Sequence, residues 1–182
     1  MIAMETDRAT WASAKREGET NRMAEEGLKD CPGTRAFVTL GEFLEADDWH
    51  PQRLGEKTIY RTIFPGESGQ VACFAQVRTD LEQFVFYVMA PVKAPEDVRQ
   101  AVAEYIAGAN YGLQVGNFEM DFRDGEVRYK SSLESEDVHL SPELIQHAIY
   151  PAVQTMDRYL PGLMRVIYSG ASPGEAIDAI EQ

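Results

Sequence analysis

The chain has 182 residues, 44% of them hydrophobic and 26% charged, the composition of a single globular domain. A chain of this length buries roughly 70% of its unfolded surface, so it needs neither metal nor disulfide to hold a core. Lys+Arg number 17 against 30 Asp+Glu, a net charge of −13, which argues against nucleic acid or an anionic membrane as partner, because both are bound by basic surfaces.

Residues 1–30 are polar and weakly patterned, with Trp11, Met23 and Leu28 too sparse for a continuous apolar stripe. They are expected to form a flexible tail ahead of one α+β domain over residues 31–182. The acidic residues Glu5, Asp7, Glu17 and Glu19 do not suit a transit peptide, and no signal-peptide core is visible. The longest apolar run, Phe84 to Val92, is about half the ~20 residues of a membrane helix. A cytoplasmic protein is the expectation.

A helix is predicted over residues 34–49, where Phe37, Leu40, Phe43 and Leu44 recur at helical spacing and Trp49 closes the apolar face. His50-Pro51 stops it, since the residue before proline avoids the helical region. Lys57–Phe64 reads as a strand rich in β-branched and aromatic residues. After the turn Pro65-Gly66-Glu67-Ser68-Gly69, Gln70–Arg78 reads as a second strand with Val71, Cys73, Ala75 and Val77 on one face. Phe84–Met89, apolar on both faces, reads as a third strand, either central or covered on both sides. Residues 95–109 form an amphipathic helix whose face is Val98, Ala101, Val102, Tyr105, Ile106 and Ala109.

Asp124-Gly125 suits a two-residue hairpin turn. That turn would pair Phe122 with Val127, Asp121 with Arg128, Met120 with Tyr129 and Glu119 with Lys130. Ser141-Pro142-Glu143 then starts the last long helix, with a cap, a proline in the first turn and an acid near the positive helix end. Pro151 and Pro161 are expected to kink or break it. Ser172-Pro173-Gly174-Glu175 begins a short terminal helix with Ala176, Ile177 and Ile180 inward.

Few residues invite chemistry. Glu119 and Asp121, two apart on one strand face, could act as an acid/base pair or hold a cation. The competing reading, which the hairpin register favours, is that Arg128 and Lys130 neutralise them. His50, His139 and His147 lack the spacing of a helical metal pair, and His147 with Glu143 reads as a surface pair. Cys73 reads as a small core residue and Cys31, before Pro32-Gly33, as an exposed thiol. No P-loop, dinucleotide loop or nucleophile turn is present. No catalytic residue, metal or cofactor is therefore assigned.

The segments Gly116-Asn117-Phe118-Glu119-Met120-Asp121 and Asp124-Gly125-Glu126-Val127-Arg128-Tyr129-Lys130 resemble the YbjN family. Ala109-Asn110 closing the preceding helix, Asp157-Arg158-Tyr159-Leu160-Pro161 and the stretch from Gly170 to Ala176 are also similar to it. Lys130 stands where an arginine is expected in many members. The resemblance spans residues 34–182. It implies a type III secretion chaperone-like fold, α-β-β-β-α-β-β-α, with an antiparallel sheet packed against helices. It further implies a homodimer acting in bacterial sensory transduction or stress regulation, with no active site to carry over.

The expected function is a non-enzymatic, chaperone-like or regulatory module that binds a protein partner. Phe37, Phe43, Val98, Val102, Tyr105 and Ile106 are the candidate partner- or dimer-binding residues. The alternative is a small-ligand-binding or enzymatic α+β domain with a pocket between sheet and helices, using Glu119, Asp121 and His147.

Overall fold

The computed structural model describes residues 32–80, 83–134 and 140–181. The expected tail, the Cys31 thiol and His139 lie outside these residues. Helix α1 (Pro32–Ala46) is followed by strands β1 (Gln52–Arg53), β2 (Ile59–Pro65), β3 (Gln70–Arg78) and β4 (Gln83–Lys93). A single 3-10 turn, Glu96–Val98, leads into helix α2 (Arg99–Tyr111). Strands β5 (Asn117–Asp121) and β6 (Glu126–Glu134) and helices α3 (Pro142–Ser169) and α4 (Pro173–Glu181) complete the chain. This is an α+β fold in the expected element order, with the two-residue β1 as an addition. β1 carries two exposed polar residues, so no apolar alternation announces it.

The strands form one antiparallel sheet in the order β1-β2-β3-β4-β6-β5. Alternation along each strand sends every second side chain to one face. Cys73, Ala75 and Val77 of β3 pair with Val88, Phe86 and Phe84 of β4, and these with Tyr129, Ser131 and Leu133 of β6, while Val71 pairs with Phe64 of β2. Helices cover this face. α1 brings Ala36, Phe37, Leu40 and Leu44, α2 brings Val102 and Tyr105, and α3 brings a long buried stripe from Ile145 to Ile167.

α3 runs as one helix of 28 residues through both Pro151 and Pro161, so neither proline breaks it. Each removes one N–H donor, but Ile149, Ala152, Val153, Leu160 and Leu163 around them are buried and hold the backbone on the core. Ser141 accepts from the Leu144 N–H at 3.3 Å at one end, and Gly170 closes the other in the left-handed region at φ 65°.

The β5–β6 hairpin has a four-residue loop, Phe122–Gly125, where a two-residue turn was predicted. Asp121 pairs with Glu126, Met120 with Val127, Glu119 with Arg128 and Phe118 with Tyr129. The register is displaced by two residues from the expected one. An even shift leaves each side chain on its predicted face, but it expels Phe122 from the strand, and Phe122 is 55% exposed. Gly125 explains the longer loop. It sits buried at φ 76°, its carbonyl accepts the Ala94 N–H at 2.8 Å, and any Cβ there would strike the Ala94 carbonyl.

Candidate binding surface

The second face of the sheet carries no helix among the described residues, and the pairing register fixes what it presents. One row across the strands is Ile63, Ala72, Met89, Arg128 and Glu119; the next is Gln52, Arg61, Phe74, Tyr87, Lys130 and Asn117. The centre is apolar, the β5–β6 end carries Glu119, Arg128, Lys130 and Asn117, and the β1–β2 end mixes Gln52 and Arg61 with the apolar Ile63. Ile63 is 49% exposed, and Phe74, Tyr87 and Met89 are partly exposed. An apolar centre with polar residues at part of its margin is compatible with a protein-binding surface.

The two carboxylates singled out in the sequence stand at the rim of this face. Arg128 donates to Glu119 from Nε at 2.9 Å and from Nη2 at 2.8 Å, and Lys130 Nζ reaches Glu119 Oε1 at 3.3 Å. Both cations therefore serve Glu119. Asp121 is instead held by Arg123 of the loop, at 2.6 Å from Nη2 and 2.8 Å from its backbone N–H. Partial burial raises the Glu119 carboxyl, but Arg128 and Lys130 outweigh it and hold the group below the ordinary value. Arg123 draws Asp121 down to about 2. Each carboxylate is thus held ionised by the cations beside it, which favours the ion-pair reading of Glu119 and Asp121 over an acid/base pair. The Arg128 guanidinium also lies 4.4 Å from the centroid of the Tyr87 ring, linking the charged rim to the apolar centre.

A concave corner lies beside this face, and little in the residue pattern announces it. The α1–β1 loop turns through Asp48 at φ 57° and His50 at φ 47°, two non-glycine residues in the left-handed region. Trp49 between them is driven inward, with ring contacts to Phe64, Phe86 and Tyr150 at 5.7, 6.3 and 6.1 Å. Its Nε1 donates to Asp47 at 2.9 Å, and the Tyr150 hydroxyl donates to the same oxygen at 2.5 Å. Thr62 Oγ1 donates to the Trp49 carbonyl. A cavity of about 490 Å³ opens here, lined by residues that include His50, Arg61, Thr62 and Ile63. The legible signal was Asp47-Asp48-Trp49-His50-Pro51 at a helix end; the positive φ angles were not.

The candidate binding residues are distributed differently. Phe37 is 7% exposed and stacks on Tyr60 at 4.5 Å. Phe43 is half-buried against the core. Val102 and Tyr105 are 0% and 1% exposed, Ile106 is buried, and Val98 is half-buried. The Tyr105 hydroxyl donates to the Tyr159 carbonyl at 2.7 Å. The α2 face is thus taken up by the chain's own α3 and α4. His147 is exposed on α3, and Glu119 and Asp121 lie on β5. Among the described residues no group of histidine, cysteine or acidic side chains could hold a metal ion, and no helix is long and apolar enough to cross a membrane.

No curated protein matches the chain. Among solved structures, it is similar to YbjN from E. coli, at 9% identity and a TM-score of 0.51, covering 74% of this chain and 89% of that one. It is also similar to a structure of the ExsC–ExsE complex, at 13% identity and a TM-score of 0.48, covering 70% and 92%. A family model described as "Putative bacterial sensory transduction regulator" matches residues 38–165, well over half of the sequence. The chain belongs to the YbjN family.

Proposed function

We propose that the chain is a non-enzymatic, chaperone-like or regulatory protein-binding module. It works as a homodimer in the bacterial cytoplasm, in stress or signalling regulation. The observation that carries this reading is the sheet face that no helix covers among the described residues, with Phe74, Tyr87 and Met89 at its centre and Arg61, Arg128, Lys130 and Glu119 around them. A twofold pairing of such faces buries the same patch on both copies. The family description supports the regulatory part. The saturated carboxylates support the non-enzymatic part.

Sedimentation equilibrium tests the dimer. The wild type should sediment at twice the chain mass, and Phe74→Glu or Tyr87→Glu should sediment as a folded monomer. A wild-type monomer at every concentration would remove the homodimer.

The α1–β1 corner favours one second reading, a small-ligand site beside Trp49. A metabolite that raises the melting point of the wild type but not of Arg61→Ala would support it, since only a ligand of the folded state stabilises.

A further inference from the structure

Helix α4 sits on α2 and α3 rather than on the sheet, and its seat is built from two glycines. Of its nine residues only Ala176 is fully buried; Ile177 and Ile180 are half-buried on the same side. The Ile177 side chain ends where a Cβ on Gly108 of α2 would stand. The end of Ile180 lies 2.5 Å from the Cβ position of Gly162 of α3, beside the Tyr105 hydroxyl. Each isoleucine is a knob in a hole left by a missing side chain. Glycine inside a helix is disfavoured relative to alanine, so both holes are opened against helix propensity.

The polar contacts are complementary as well. α4 presents Glu175, Asp178 and Glu181, while α3 presents Arg158 and Arg165. Arg158 Nη2 donates to the Ile180 carbonyl at 3.3 Å, placing a cation at the negative end of α4. The Tyr159 hydroxyl donates to Glu181 at 2.7 Å. Ser172 first, and Arg165 behind it, hold the Glu175 carboxyl below its ordinary value.

A nine-residue helix has little stability of its own. α4 is joined to α3 only through Gly170, Ala171 and Ser172, with Gly170 at φ 65°. It is in effect a tethered ligand of the groove. The family match spans residues 38–165. It contains Tyr105, Gly108, Arg158 and Gly162, and it stops before α4.

We propose that α2 and α3 form a receptor groove for a short acidic amphipathic helix of the pattern Ala-Ile-x-x-Ile. α4 occupies the groove in cis, and a helix of the same pattern on a partner protein takes it by displacing α4. This surface is separate from the open sheet face, so the two readings stand or fall apart.

The test uses the full chain and a labelled peptide of residues 171–182 as probe. Ile177→Asp with Ile180→Asp empties the groove without touching α2 or α3. The peptide should bind that variant at least about tenfold more tightly than the wild type, in which tethered α4 competes at an effective concentration in the millimolar range. Adding Gly108→Leu, whose Cβ meets only Ile177, should abolish binding while circular dichroism shows the fold retained. No binding to the folded double variant, or binding indifferent to Gly108→Leu, would overturn the proposal. So would a wild-type dimer that Gly108→Leu converts to monomer, because the occupant would then be α4 of a second copy. Should the double variant fail to fold, native-state hydrogen exchange decides on the wild type. α4 amides should exchange at least about tenfold faster than those of central α3; equal protection would overturn the displacement.

Discussion

Glu119 carries two cations and Asp121 carries one, and the difference belongs to the loop rather than to the strands. A two-residue turn would have given each acid its own partner. Gly125 at φ 76° lets the chain close four residues instead, and Arg123 in that loop takes Asp121. The folded Glu119 carboxyl lies below the ordinary glutamate value of 4.5. Its contribution is therefore complete above that pH and is lost as pH falls through the folded value. Glu119→Gln should be less stable than wild type at neutral pH, with the gap closing in acid when urea unfolding is followed across pH. A gap that does not change with pH would contradict the ion-pair assignment. Gly125→Ala should cost about 3 kcal/mol, combining left-handed strain with the Ala94 collision. Gly55→Ala, at φ 60° in open space, should cost only about 1 kcal/mol. Equal costs in urea unfolding would dismiss the Ala94 contact. Burial pushes the Cys73 thiol up to about 12, so in a Cys31→Ser background it should resist a thiol reagent at pH 8 until the chain unfolds. Rapid labelling of the native protein would show that the core opens there.

At the scale of elements, the sequence is legible wherever one period dominates. The alternation Val71, Cys73, Ala75, Val77 is the register face of β3, and the Ser141 cap and Gly170 stop bound α3 where they were expected. Legibility ends where tertiary packing overrides a local rule. Pro151 and Pro161 oppose helix locally, yet the buried stripe from Ile145 to Ile167 keeps α3 whole. The α2 face of Val102, Tyr105 and Ile106 reads as apolar in any amphipathic count, but periodicity cannot say whether the cover is a partner or the chain's own α4. The open sheet face was hidden for the opposite reason. Phe74, Tyr87 and Met89 alternate with core residues, and an apolar run does not reveal which of its faces a helix covers. The hairpin faces were read correctly and their pairing was not, because an Asp-Gly signal does not count loop residues. Ser131 belongs to this scale too. It pairs with Phe86 on the covered face, and its buried hydroxyl finds no partner among the described residues. Ser131→Ala should stabilise by about 1 kcal/mol in thermal or urea unfolding; destabilisation would mean the hydroxyl is satisfied.

For the whole molecule, the arrangement divides the labour between two sides. One side of the sheet is sealed by α1, α2 and α3 around Leu40, Phe86, Met156 and their neighbours. The other shows an apolar centre with polar residues at part of its margin, and the net charge of −13 keeps such a surface from associating indiscriminately. We propose that this face is where the protein meets a second copy. Replacing Tyr87 with a benzophenone photo-cross-linker tests it most directly. The account predicts a cross-linked species of twice the chain mass, with the joined peptides drawn from residues 59–93. No linked pair of chains, or a pair joined through α2 or α4, would contradict it.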